Sequence, residues 1–152
     1  MISRVALLLL LLLAAPARAD SSGPVVFGRS EVAIATQAGG SFRFAIEVAE
    51  TPDQLHQGLM FRDSMADDAG MLFLLEKEDI ASFWMRNTFL PLDMLFIARN
   101  GRITDIHRNA APGSTAIISS TVPVVAVLEV NAGITARLGI HTGDRVIHSA
   151  FH

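Results

Sequence analysis

Past its first thirty residues the chain is dominated by short runs rich in Val, Ile, Leu and Phe, five to nine residues long, with turn-forming residues between them. Runs of that length suit strands and fall short of the usual helix. In SFRFAIEVA (41–49), Phe42, Phe44, Ile46 and Val48 alternate with Arg43, Ala45 and Glu47. A period of two with one polar face predicts a half-buried strand. EVAIAT (31–36) precedes it across Gly39-Gly40, which predicts a hairpin. Asn100-Gly101 joins DMLFIA (93–98) to RITDIHR (102–108) and predicts a second one. MLFLL (71–75), SFWMR (82–86) and VVAVLEV (124–130) read as further strands, and Thr142-Gly143-Asp144 turns the chain into RVIHSAF. Pro91 lacks the N–H that a central ladder needs, so it belongs between strands. The stretch 111–123 reads as a long loop of small residues, in part extended.

Two segments change period. In TPDQLHQGLM (51–60), Thr51 can cap a helix, Pro52 fits its first turn and Gln54 completes a capping box. Leu55 and Leu59 then share one face. Gly58 in so short a helix costs about 1 kcal/mol against Ala, which points to a close approach at that position. NAGITARLG (131–139) reads as a second short helix with Asn131 as cap and Gly139 as stop. Strands and helices do not alternate regularly, which excludes a doubly wound parallel sheet. The expected fold class is α+β, mainly antiparallel, with a strongly curved sheet or partial barrel and two short helices.

Residues 1–19 read as a secretory signal peptide. Arg4 precedes the apolar run Val5–Ala15, and Ala17-Arg18-Ala19 places cleavage before Asp20. That run is shorter than the roughly 20 residues a spanning helix needs, and no later run reaches that length. The expectation is a periplasmic or secreted protein with no membrane span after cleavage. Residues 20–30, rich in Ser, Gly and Pro, read as a flexible leader, and 31–152 as a single globular domain. The chain has no Cys. Disulfides, thiol catalysis and thiolate metal sites are therefore excluded, and packing has to supply stability.

Acidic residues outnumber basic ones 15 to 12, Arg4 and Arg18 fall in the signal, and Lys77 is the sole lysine. Nucleic acid is a poor partner for such a chain, because phosphate contacts need clustered Lys and Arg. The glycines follow neither GxGxxG nor GxxxxGK[ST], so no nucleotide cofactor is implied. Met60, Met65, Met71, Met85 and Met94 could recruit Cu(I), with His56 and Met60 four apart. Most of these methionines, however, sit in apolar strands where Met is ordinary filler. His107, His141, His148 and His152 lack paired ligand spacing, and Asp63, Asp67 and Asp68 lack the spacing of a calcium loop. No metal or cofactor is expected.

SFWMRNTFLPLDMLFI (82–97) places Arg86, Asn87, Thr88 and Asp93 among Phe83, Trp84 and Phe89. Arg62 and Glu129 are similar polar residues in apolar surroundings. In one reading Arg62, Phe83, Trp84, Arg86, Asn87, Asp93 and Glu129 converge on a pocket. The arginines would clamp an anion and the aromatics would stack on a sugar. In the other reading these residues form a buried ion-pair network, Arg62 to Asp93 or Glu129, with Asn87 satisfying turn backbone groups.

GLMFR (58–62), GMLFLL (70–75), FWMRNTFLPLDMLFI (83–97), VLEVNAG (127–133) and the Gly143-Asp144 pair resemble, in this order, the bacterial and archaeal family called domain of unknown function 192. The likeness spans about 31–147, and its specific part is the FWM-[KR]-NT-x-x-PLD string, with Arg86 where Lys is usual. It implies a compact β-rich α+β domain, often behind an export signal, with no established activity. The expected function is a small exported binding or accessory module of the cell envelope for an anionic or carbohydrate-like ligand. One alternative is a glycan hydrolase with Asp93 and Glu129 as its catalytic pair. Another is a protein-interaction domain that meets an envelope protein and binds no small ligand.

Overall fold

A computed structural model describes residues 23–152. The expected signal over 1–19 lies outside them, as do the first residues of the expected leader. In chain order come β1 (Gly28–Ala35), β2 (Ser41–Ala49), α1 (Pro52–Gln57), β3 (Ala69–Asp79), β4 (Ser82–Phe83) and β5 (Leu92–Ile97). They are followed by β6 (Ile103–Ala110), β7 (Ile118–Ser119), β8 (Val124–Asn131), α2 (Ile134–Arg137) and β9 (Arg145–Ile147).

Seven strands form one sheet in the order β6-β5-β8-β3-β2-β1-β9, while β4 and β7 pair apart from it. Both hairpins predicted from Gly39-Gly40 and Asn100-Gly101 form, with Val32 opposite Phe44 and Leu95 opposite Ile106. One pairing, β2 with β3, is parallel. It exists because the segment carrying α1 returns the chain to the starting end of β2, which a tight turn cannot do. The sheet curls into a half-barrel whose two edges meet at one end. There the Ile103 N–H donates to the Asp144 carbonyl, the Gly143 N–H to Ile103 and the Val146 N–H to Gly101, each at 2.8 Å.

The curl divides the apolar residues into two clusters. Val32, Ile34, Phe44, Ile46, Leu72, Leu95, Ile97, Ile103, Leu128 and Val146 draw on every strand of the large sheet and fill its interior. Met71, Phe73, Leu92, Met94, Phe96 and Val127 point the other way and are covered by Leu59, Ala81, Met85 and Leu90. The three central strands β5, β8 and β3 are therefore buried on both faces over much of their length, which explains why DMLFIA and VVAVLEV read as continuous apolar runs.

Three boundaries differ from the sequence reading. The strand expected over 82–86 ends at Phe83. Beyond it the Met85 N–H donates to Ser114, and Asn87 takes a left-handed φ of 55°, so the chain turns away. The leader expected to run to residue 30 stops short: the Gln54 side chain donates to the Val26 carbonyl, Phe27 packs on the outer cluster and β1 begins at Gly28. Asn131 does not cap the second helix. Gly133 occupies that position at φ 84°, and the Asn131 amide instead donates to the Met65 carbonyl.

Candidate functional site

Thr51 and Gln54 form the reciprocal capping box expected of them, with Pro52 opening α1. The cap fixes where α1 starts, and Gly58 fixes where it ends, at φ 47°. A Cβ at Gly58 would lie 3.0 Å from the Phe73 ring, which is the close approach its position implied. Leu55 and Leu59 consequently face β3 across a narrow gap. On the other side, Phe83 of β4 meets Phe73 edge-to-face, with centroids 5.0 Å apart. Between α1, the outer half of β3 and β4 opens a cleft of about 400 Å³. Its walls include Leu55, Leu59, Phe73, Ile80, Phe83 and Trp84, and Glu129 of β8 is among its lining residues.

Glu129 is 4% exposed. Its cross-strand neighbours are Met71 on β3 and Met94 on β5, both fully buried. Neither thioether can donate a hydrogen bond to a carboxylate. Burial in this apolar setting pushes the Glu129 carboxyl up to about 8, with no compensating partner from the protein. Every fully enclosed side-chain nitrogen and oxygen among the described residues has a hydrogen-bond partner. The unpartnered Glu129 oxygens therefore open onto the cleft. The other charged residues around it, His56, Glu76, Lys77 and Asp79, are all exposed at the rim. Lys77 is paired with Asp79 at 3.2 Å.

Of the seven residues singled out in the sequence, the cleft gathers three: Phe83, Trp84 and Glu129. Asp93 lies on the opposite face of the sheet. It is opposite Val130 while Met94 is opposite Glu129, so a single step along β5 reverses its direction. Its carboxylate is fully buried and saturated by donors. Oδ1 accepts from the Asn109 N–H at 3.0 Å, and Oδ2 accepts from the Gly133 and Thr135 N–H groups at 3.1 Å and the Thr135 hydroxyl at 2.6 Å. Asp93 thus supplies from a distant strand the side-chain cap that the first residues of α2 lack locally. The expected pairing of Asp93 with Glu129 as two catalytic carboxylates fails on this geometry, and so does an Arg62–Asp93 or Arg62–Glu129 ion pair.

Arg62 pairs with Glu47 and lies 5.7 Å over the Phe27 ring, in a separate groove lined also by Arg29. Arg86 is exposed on the turn after β4, with its guanidinium 5.5 Å over the Trp84 ring. Asn87 is exposed beside it, and its carbonyl accepts from the Phe61 N–H at 2.9 Å. Neither Arg86 nor Asn87 lines the cleft. Thr88, from the same polar set, is buried and does line it.

Two polar residues with structural contacts are not among the site candidates of the sequence, although Asp144 belongs to a predicted turn and to the family-like Gly143-Asp144 pair. Asp144, 3% exposed, holds the turn before β9 by accepting from the Gln37 and His141 N–H groups at 2.9 and 2.7 Å. An Asp closing a Thr-Gly-Asp turn is the signal that marks it. Arg108 donates to the Thr135 hydroxyl and the Ile140 carbonyl, joining the Asp93 network from β6. Nothing in the local sequence of RITDIHR marks Arg108, itself exposed, as the residue that makes these contacts. Among the described residues no group of three or more His, Asp or Glu is placed to hold a metal ion.

Comparison with known proteins places this arrangement among uncharacterised ones. The family model described as "Uncharacterized ACR, COG1430", domain of unknown function 192, matches residues 33–148. The chain is similar to a solved structure from Sinorhizobium meliloti described as a "putative transcription regulator". The two are 46% identical with a TM-score of 0.82, over 85% of this chain and 100% of that one. It is also similar to a protein of unknown function from Novosphingobium aromaticivorans, 40% identical with a TM-score of 0.78, over 90% and 94% of the two chains. No curated protein matches.

Proposed function

The chain belongs to the family of domain of unknown function 192, and on that footing we propose that it is a small-ligand-binding domain of the cell envelope, periplasmic or secreted. Its cleft takes a neutral, carbohydrate-like ligand. One observation carries this reading: Glu129 is a buried carboxyl group left without a protein partner at a cleft walled by Phe83 and Trp84. Buried polar groups are normally satisfied, so an acid left open to a concave site is one that a ligand can satisfy. Phe83 and Trp84 offer the apolar faces on which a sugar ring packs.

Of the two ligand chemistries expected from the sequence, the lining of the cleft supports the carbohydrate-like one over the anionic one. Glu76, Asp79 and Glu129 surround the space, and the one lysine there is engaged with Asp79. Arg62 and Arg86, the expected anion clamp, lie outside it. The regulator description given to the Sinorhizobium protein is not carried over: acidic residues outnumber basic ones 15 to 12 in this chain, a balance that disfavours phosphate contacts. The export reading rests on residues 1–19, with Arg4 ahead of the apolar run Val5–Ala15 and Ala17-Arg18-Ala19 before Asp20.

Isothermal titration with neutral disaccharides tests the proposal, cellobiose and N,N′-diacetylchitobiose among them. At least one is expected to bind, and Trp84→Ala is expected to weaken it roughly tenfold, about 1.4 kcal/mol. Absence of binding, or binding indifferent to Trp84, contradicts it.

A second reading draws on the exposed aromatics. Phe61 and Phe89 are 63% and 55% exposed and meet edge-to-face at 6.3 Å. Phe61 holds a positive φ of 64°, which a bulky residue adopts at a cost of about 1–3 kcal/mol. An aromatic pair held outward in this way suits contact with an envelope protein. Phe61→Ser with Phe89→Ser would abolish such contact and leave sugar binding intact.

A further inference from the structure

We infer that Glu129 acts as a hydrogen-bond donor to a neutral carbonyl oxygen of the ligand, so that the cleft selects an N-acetylated sugar over a plain or a cationic one. This inference rests on the binding cleft proposed above. The geometry supplies the argument. Glu129 sits between Met71 and Met94, with Val127 two residues away on the same face of β8. Leu59 and Phe73 line the same cleft. None of these side chains supplies a donor that would support a charged carboxylate, and none supplies an acceptor strong enough to take the proton of the neutral acid.

The ionisable groups that share the cleft lining with Glu129 are His56 from α1 and Glu76, Lys77 and Asp79 from β3, all solvent-exposed. Gln57 from α1, Ser82 from β4 and Thr88 from the turn after it add uncharged polar side chains to the lining. The one ionisable side chain of β5, Asp93, faces the other side of the sheet. Burial keeps Glu129 in its neutral form up to about pH 8. A neutral carboxylic acid presents one O–H donor, and an amide carbonyl is the strongest acceptor a neutral sugar carries. The methyl of an acetyl group would then meet the apolar wall of Leu59, Phe73 and Phe83, which lines the same cleft. A protonated amine would instead favour the ionised acid, and an anion would meet the carboxyl groups of Glu76, Asp79 and Glu129, with the lysine of the cleft paired to Asp79.

The test compares N,N′-diacetylchitobiose, cellobiose and the free diamine chitobiose by isothermal titration at pH 6 and pH 9. Each is measured on the full chain, on Glu129→Gln and on Glu129→Ala. The inference expects the diacetylated sugar to bind at least about tenfold more tightly than cellobiose. With the acid midpoint at about 8, its affinity for the wild type falls roughly tenfold between pH 6 and pH 9, because only the protonated fraction is competent. Glu129→Gln keeps an N–H donor and binds with a flat pH profile, whereas Glu129→Ala loses affinity at both pH values. Equal affinity for cellobiose, or one pH profile shared by wild type and Glu129→Gln, overturns the inference while the binding cleft stands. Tighter binding of the diamine overturns it in favour of an ammonium ligand. Absence of binding by all three sugars overturns both. Where Glu129→Ala does not fold, the Glu129→Gln profile decides.

Discussion

Asp93 and Glu129 are two buried acids on neighbouring strands with opposite fates. Asp93 is met by four donors, while Glu129 meets none from the protein among the described residues. Removing each has a different signature. Asp93→Ala strands buried N–H and hydroxyl donors around Asn109, Gly133 and Thr135, and is expected to cost on the order of 3–5 kcal/mol in urea unfolding. Below its lowered melting temperature it should bind cleft ligands as the wild type does, since it lies across the sheet. Glu129 carries a proton in the folded state that the unfolded chain releases near its ordinary value of 4.5, and it holds that proton up to about 8. Folding therefore takes up a proton across that window, and stability declines as pH rises through it. Glu129→Gln removes the decline. Its melting temperature relative to the wild type should climb between pH 5 and pH 8, and a constant difference would refute the assignment.

At the scale of elements, α1 and β4 make the two walls of the cleft, and the sequence disclosed one of them better than the other. The capping box of Thr51 and Gln54 is a local device, written within four residues, so α1 was legible. Phe83 and Trp84 stand out in the sequence as large aromatics beside polar neighbours, and both line the cleft. The length of β4 was not legible, because it ends where a distant carbonyl, Ser114, captures the Met85 N–H. The sequence points to Asn131 as the cap of α2 for the same reason: the carboxylate that caps it lies 40 residues upstream and is brought there by sheet pairing. The convergence of Arg62, Asp93 and Glu129 failed on strand parity, which assigns a face only once the register is known. Thr51→Ala is expected to cost about 1 kcal/mol of stability. Gly58→Ala should cost roughly 2 kcal/mol, because its φ of 47° is strained for any side chain and the new Cβ presses on Phe73. Only the Gly58 change should also alter ligand affinity, since Phe73 lines the cleft.

At the scale of the whole molecule, the curl separates the interior cluster from the outer one and leaves the outer face of β8 and β3 to be covered by α1 and β4. The cleft is the part of that face left open. The curl depends on its closure near Gly101, where a Cβ would lie 2.3 Å from the Val146 carbonyl oxygen. Gly101→Ala should cost roughly 2–4 kcal/mol and speed hydrogen exchange at the Ile103 and Val146 amides that join the two edges. The fold class was readable from short apolar runs and two Gly-bearing turns, because hairpins are local. The meeting of β6 and β9 was not, because it joins residues some 40 positions apart with no side-chain signature.

The central claim is that the unpartnered Glu129 carboxyl marks the ligand site. Its most direct test is an NMR titration of isotope-labelled protein with N,N′-diacetylchitobiose, following the Glu129 carboxyl carbon and the Trp84 indole together. The account expects both signals to move along one saturation curve, with the largest backbone changes in α1 and β4. Saturating sugar that leaves both signals unmoved, or that perturbs only the groove around Arg62 and Glu47, would contradict it.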